Sequence, residues 1–577
     1  MARLPLSMHA EHRRSPIAAP RVAAALASVL VVVAVLLTLL YSGYLSYTEF
    51  TPERVQLPRD EPIVDDSGRR VEYGRSWIAR RGKLWHLYLA GTPEEMGAAQ
   101  GRLAARLFRR LDTQVGRFLD LRYHNWLDAW SESMRLLWDY HGADAALRRS
   151  DRIELSALAA ALPRGVVESD RVNTYHRLFL HQCFLDLARR LVEDVLVEGN
   201  MFAVAARPAT GGREPARLIV GRTLTVDLGD AFEADRMVTI HRPDGKYPFA
   251  SVGWPGLVGV VTGINARGIV AAINPARTDD PEESGVPWPL VLRQVLEEAD
   301  TLDQAIQIIR HVPLRTAGIV LLGDGPARRA VVMEASPRAD GSRRLLRGED
   351  DSVVWATNHL LREQFDRDAQ NHRIKISTAS GIRYERLGEL LTAPGAFDQA
   401  RALSILRDRQ GANSTELGLG NRTAIENLLS SQAVIIDATS MVMWVGEGPS
   451  ALGRFRSFDL RQLLARDGRE VAPLEDLPAD PLLYAEEYTD YVEAQRQLEY
   501  ATYLLHSGQS EAARGAARIA LALAPELADL HRVLGDIERE LGERERAVQY
   551  YHRYVELVPG RMREQQRVRG VIEELGG

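Results

Sequence analysis

The chain opens with one apolar block. From Val22 to Leu40 the run is broken only by Ser28 and Thr38, and as a helix it is long enough to cross a hydrocarbon core of roughly 30 Å. Arg3, Arg13, Arg14 and Arg21 precede it, whereas Glu49, Glu53, Arg54, Arg59, Asp60 and Glu61 follow. The positive-inside bias then predicts a cytoplasmic N-terminus (1–21), a transmembrane anchor (22–40) and an extracytoplasmic body. A cleaved signal peptide is the competing reading; the run is long for its apolar core, and Tyr41-Ser42-Gly43-Tyr44-Leu45-Ser46-Tyr47 makes a poor cleavage site. Thr51 to Arg75, rich in Pro, Asp, Glu and Arg without apolar periodicity, predicts a solvated linker over 41–76.

Helical spacing begins at Pro93 behind Thr92 as N-cap, continues to about Leu119, and resumes to about Leu196. From Phe202 the period changes to short β-rich runs: Leu218–Val220, Met237–His241, Leu257–Val261, Ile269–Ile273, Gly318–Leu322, Ala330–Glu334, Val353–Ala356, Ala433–Ile436 and Met441–Val445. Two helical patterns, Pro289–Ala299 and Leu302–His311, interrupt them. Grouped strands with helix pairs between them predict a layered α+β domain over 77–465.

After a linker at 466–490, residues 491–577 carry a repeat. Gly508 and Gly542, Ala513 and Ala547, and Pro525 and Pro559 each stand one tetratricopeptide period apart. In each of two units the Gly would sit at a helix–helix turn, the Ala would let the helices approach, and the Pro would end the second helix. Two repeats are few for independent stability, so they are expected to pack on the main domain or to meet a protein partner.

Composition narrows the function classes. A formal net charge of -6 without a basic block gives no reason for a nucleic-acid partner. Cys183 is the only cysteine, which excludes an internal disulfide and a cysteine-rich zinc site. No phosphate-cradling glycine loop, nicotinamide fingerprint or metal-ligand cluster stands in the chain, so no cofactor is implied.

Three motif groups carry a resemblance. Gly91-Thr92-Pro93-Glu94-Glu95-Met96-Gly97 followed by Gln100-Gly101 is joined by Val252-Gly253-Trp254-Pro255-Gly256 with Gly263-Ile264-Asn265-Ala266-Arg267-Gly268, and by Thr357-Asn358-His359 with Ser380 and Arg383. In order and spacing they resemble the acyl-coenzyme A:6-aminopenicillanic acid acyltransferase (peptidase C45) family over roughly Leu84 to Pro449. The resemblance implies the four-layer αββα sandwich of N-terminal-nucleophile (Ntn) hydrolases. It also implies a precursor that cuts itself before a cysteine, whose thiolate then attacks an amide or thioester carbonyl.

The chain departs from that pattern where the chemistry is expected. The place of the nucleophile reads Glu198-Gly199-Asn200-Met201, with no Cys, Ser or Thr. The family's Gly-Arg-Asn-x-Asp reads Gly221-Arg222-Thr223-Leu224-Thr225, so the arginine stays and the carboxylate is replaced. Asp227 lies a full pleat further on, roughly 7 Å along the strand. Cys183 lies in a helical pattern before the sheet region; a buried structural thiol is the plainer reading than a displaced nucleophile, and His181, two residues away, does not share its helix face.

Asn274 and Asn358 align with amides that such enzymes use on the substrate carbonyl, and Arg222 and Arg383 with arginines lining the pocket. Each has a plainer role available: an Asn at a strand end caps turns, and Arg383 could pair with Glu385 or Glu389 at the surface. Two functions follow. One is a membrane-anchored homologue that keeps the pocket without the chemistry and acts as a binding or scaffold module, with a small amide or acyl ligand and a protein partner on the repeats. The other is an active amidohydrolase or acyltransferase on an amide or thioester.

Overall fold

The computed structural model describes residues 18–576 apart from 66–67, 123–125, 168–171, 192–196, 207–215, 229–230, 282–283, 339–340, 343, 466–467, 469–470 and 559–561. Two sheets face each other. The larger runs, in spatial order, through Ile63–Val64, Arg70–Tyr73, Ser76–Arg81, Leu84–Gly91, Met237–Pro243, Phe249–Gly253, Thr262–Asn265, Ile269–Pro275, Gly318–Asp324, Arg329–Ala335 and Arg344–Arg347. Its one parallel pairing joins Leu84–Gly91 to Met237–Pro243. The smaller runs Val353–Ala356, Val197–Ala206, Arg217–Val226, Ser430–Asp437, Val442–Gly446, Phe455–Asp459, all antiparallel.

Strand alternation sorts side chains into three cores. Val270, Ala272, Ile319 and Leu321 of the large sheet meet Met201, Ala203, Leu218, Val220, Val434 and Ile436 of the small one between the sheets. Ile269, Ala271, Ile273, Val320 and Leu322 point the other way, into helices including Trp288–Glu298, Leu302–His311 and Thr174–Gln182. Phe202, Val204, Ile219, Ala433 and Ile435 pack outward on Ser380–Thr392 and Gln399–Leu406. Helix, sheet, sheet and helix therefore lie in four layers, the α+β arrangement expected from the sequence.

The N-terminal family motif is a helix-packing device. Thr92 and Glu95 form a reciprocal capping box at the start of Pro93–Leu103. A Cβ on Gly97 would lie 2.2 Å from the Glu154 carbonyl oxygen, and one on Gly101 would lie 2.8 Å from that of Leu158. The two glycines thus let this helix touch the backbone of Arg149–Ala161, beneath which Arg293 is held by Glu154 and Glu297 at 2.6 and 2.7 Å.

Several expected boundaries differ. The 41–76 segment is only partly a linker: the first helix runs Ala18–Thr48, Phe50 is buried against His176 and Phe179, and two strands form before Ser76. Ile63 and Val64 are exposed, and only Val71 and Tyr73 of Arg70–Tyr73 turn toward the core of Ile78 and Leu87, too short an alternation to read as a strand. The single helix expected over 93–119 breaks at Ala104 into Pro93–Leu103 and Ala105–Arg122. Leu257–Val261 is a buried loop, not a strand. Gly256 at φ +82° turns the chain, and Gly259 lies against Pro289, so the segment packs beneath a helix instead of joining a ladder.

At the C-terminal end, helices Glu486–His506, Ser510–Leu523, Ala528–Glu540 and Arg544–Leu557 are followed by Met562–Glu574. The first begins within the expected 466–490 linker, whose Leu477 pairs with Phe455 at the sheet edge. Gly508 and Gly542 turn with φ +74° and +81°, and Ala513 and Ala547 are fully buried between helices. Pro559 and residues 1–17, with Arg3, Arg13 and Arg14, lie outside the described residues.

Candidate functional site

Register and parity assemble the site at one end of the sandwich. Val353–Ala356 pairs antiparallel with Val197–Ala206 so that Ala356 faces Met201; two residues further, Asn358 comes level with Gly199. Met201 in turn faces Arg222 on the next strand. Gly199 shares parity with Met201 and Ala203, Arg222 with Leu218 and Val220, and Asn274 with Val270 and Ala272, so all three look into the space between the sheets.

Their contacts are mutual. The Gly199 N–H donates to Asn358 Oδ1 at 3.0 Å. Asn274 Nδ2 donates to the Thr357 carbonyl at 3.0 Å, and Asn358 Nδ2 to that of Pro275 at 3.2 Å, so the two amides staple the sheets together. Arg222 donates to the carbonyls of Val261 and Ile273, to Thr262 Oγ1 at 2.7 Å and to Asn274 Oδ1 at 3.3 Å. It is fully buried, and burial with no neighbouring carboxylate pushes its guanidinium down to about 9.

Arg383 reaches the same end from the outer helix Ser380–Thr392. It lies 3.1 Å from Glu198 Oε2, and donates to Asn200 Oδ1 at 3.2 Å and to Asn358 Oδ1 at 3.4 Å. The surface pairing considered for it with Glu385 or Glu389 does not form: Arg383 is 1% exposed, and it is Arg386 that takes Glu389. Glu198 and Asn200 escaped notice as its partners, although their even parity on the strand points both toward the helix that carries Arg383.

The loop bearing Asn358 is tied by hydroxyls. Ser380 Oγ accepts the Asn358 N–H at 2.9 Å and lies 2.9 Å from Thr357 Oγ1 and 2.8 Å from His359 Nδ1. Burial, reinforced by Lys375, Arg347 and Arg383, lowers His359 to about 3 and keeps its ring neutral.

The space beside Gly199, in the segment 198–201 where the resemblance places a nucleophile, is filled. A Cβ built on Gly199 would stand 2.1 Å from Asn274 Oδ1 and 2.7 Å from its Cγ. Thr225 faces Glu198 across the ladder, and Asp227 is half-exposed in an ion pair with Arg422 at 3.0 Å, outside the cluster. Cys183 caps Thr174–Gln182, fully buried in the helix layer on the far side of the large sheet. The structure therefore unites Arg222, Asn274, Asn358 and Arg383 and leaves Cys183 apart. His181 is occupied with Asp112 at 2.8 Å.

The remaining motifs serve turns. Asn265 Oδ1 accepts the N–H groups of Arg267 and Ile269, its Nδ2 donates to Leu296 and Ala299 at the end of a helix, and Gly268 takes φ +81°.

Residues 218–432 match the model of the family described as acyl-coenzyme A:6-aminopenicillanic acid acyl-transferase. The match is confined to that segment. Over 211 residues the chain is 25% identical to an uncharacterized protein of Archaeoglobus fulgidus, a match covering 33% of this chain and 34% of that protein. The chain thus aligns with about a third of that relative's length. Three solved structures are similar to it. The Caenorhabditis elegans N-acylethanolamine-hydrolyzing acid amidase ortholog is 15% identical, with TM-score 0.28, covering 42% of this chain and 93% of its own. A mutant conjugated bile acid hydrolase from Clostridium perfringens is 10% identical, with TM-score 0.31, covering 48% and 96%. Penicillin V acylase from Agrobacterium tumefaciens is 14% identical, with TM-score 0.25, covering 46% and 84%.

Within the segment matched by that model lie Arg222, Asn274, Asn358 and Arg383; Glu198 to Met201 precede it.

Proposed function

We propose that the chain is a membrane-anchored member of the acyltransferase and amide hydrolase class that does not perform the class's chemistry, and serves as an extracytoplasmic binding or scaffold module. The observation that carries this reading is the Asn274 amide in the space that a side chain at residue 199 would need. An Ntn-type nucleophile requires an attacking atom there, and glycine supplies none. The amides that would steady an oxyanion each give one N–H to a backbone carbonyl across the sheets, a use that holds structure. The apolar N-terminal helix supplies the anchor, with the N-terminus cytoplasmic, and the C-terminal tetratricopeptide-like helices supply the surface for a protein partner.

The test is the intact mass and N-terminal sequence of the purified full-length protein, followed by incubation with acyl amides and thioesters. A single uncut chain of 64.3 kDa that forms no acyl adduct is expected. Two fragments with a new N-terminus between Glu198 and Phe202, or at Cys183, would make the chain an active amidohydrolase or acyltransferase and overturn the proposal.

A further inference from the structure

The apolar helix does not leave the domain alone. Where its apolar run ends, Tyr41, Tyr44 and Tyr47 meet the helix Trp126–Asp139. Tyr41 lies 6.3 Å from Trp130, the Tyr44 hydroxyl donates to the Met134 carbonyl, and Trp138 sits 6.1 Å from Tyr44 and 5.9 Å from Tyr47. Positions 130, 134 and 138 thus run beside 41, 44 and 47 in the same direction. Trp130 and Trp138 are 38% and 58% exposed, and Leu127 is 55% exposed. No described residue covers the outer faces of these three.

The register sets their depth. Trp130 is level with Tyr41, one residue beyond the apolar run; Leu127, three residues back along its helix, lies about 4.5 Å further toward that run, level with about Thr38. A tyrosine and tryptophan cluster at the end of a spanning helix is the composition of a membrane–water interface. We infer that the first turns of Trp126–Asp139 are a second membrane contact, with Leu127 and Trp130 immersed at the edge of a zwitterionic phospholipid bilayer beside the anchor. Asp128, Glu132 and Asp139 outweigh Arg135 and leave the helix net negative, so nothing in it attracts anionic lipid. The contact would turn a flexible tether into a fixed mount, because Phe50, two residues beyond the anchor helix, is already locked against His176 at 3.9 Å. This inference rests on the anchor reading.

Single cysteines at Leu36, Leu127 and Tyr484, carrying an environment-sensitive fluorophore, test it in full-length protein held in phosphatidylcholine nanodiscs. Tyr484 is 79% exposed and serves as the aqueous control; Cys183, fully buried, is expected to stay unlabelled, which the unsubstituted chain verifies. Nitroxide-bearing lipid should quench the L36C and L127C labels several-fold more than Y484C, with iodide giving the reverse order. If L127C follows Y484C while L36C remains lipid-quenched, the second contact is refuted and the anchor stands. If L36C itself is not lipid-quenched, the anchor reading fails and the inference falls with it.

Discussion

On the proposed reading, position 199 concentrates the question of activity in one side chain. Asn274 cannot simply swing aside, because its Oδ1 accepts from Arg222 and its Nδ2 donates to Thr357. Gly199→Ala is therefore expected to cost about 1–3 kcal/mol, the usual penalty for forcing atoms into a packed core, read as a lower denaturation midpoint. In a double-mutant cycle with Asn274→Ala, the two changes should couple by about 0.5–3 kcal/mol, since removing the amide makes room for the new methyl. Additive effects would mean that Asn274 does not fill the space beside Gly199. The absence of Cys, Ser and Thr from Glu198-Gly199-Asn200-Met201 was legible in the sequence, but the Asn274 amide beside Gly199 was not. Contact between Gly199 and Asn274 joins two sheets across 75 positions of sequence, and only the parity of both strands shows that they face each other.

Elements were legible where one face is buried and the other is wet. Leu302–His311 and Val353–Ala356 begin and end where the spacing predicts. Elements without such contrast were not: the edge strand Ile63–Val64 is exposed, Arg70–Tyr73 turns only Val71 and Tyr73 toward the core, and the loop 257–261 is apolar on all sides because a helix covers it. Glycines that read as a family signature acquire a physical cause at this scale. Gly97 touches the backbone of Arg149–Ala161, whereas a Cβ on the helical Gly116 would meet only Arg177 at 4.0 Å. Gly97→Ala should therefore destabilise the protein by about 1–3 kcal/mol through helix separation, and Gly116→Ala should stabilise it by about 0.4–1 kcal/mol by restricting the unfolded chain. Thermal unfolding of the two variants side by side decides it: a stabilising Gly97→Ala would mean that the two helices are not in backbone contact.

The sandwich as a whole carries neutral histidines in its separate layers. His86 and His359 are lowered to about 3 and His176 to about 4, while His241 falls well below its ordinary 6.5; burial is the leading cause in each. The sign follows from proton uptake. Between pH 6.5 and about 4 the unfolded chain protonates these rings and the folded one does not, so their contribution is fully present above pH 6.5 and is lost as the pH falls toward the folded values. Each ring adds a slope of up to about 1.4 kcal/mol per pH unit across that window. Urea unfolding of the full chain in detergent, followed from pH 7.5 to 4.5, should show falling stability, and His359→Gln should make the fall shallower by up to about 1.4 kcal/mol per pH unit. An unchanged slope would mean that His359 is protonated in the native protein, and a charged ring beside Arg383 and Lys375 would then call for an anion in the site. The same measurement therefore bears on the ligand: an acidic ligand that binds here should raise the His359 value and flatten the profile of the unsubstituted protein, whereas a neutral amide should leave it unchanged.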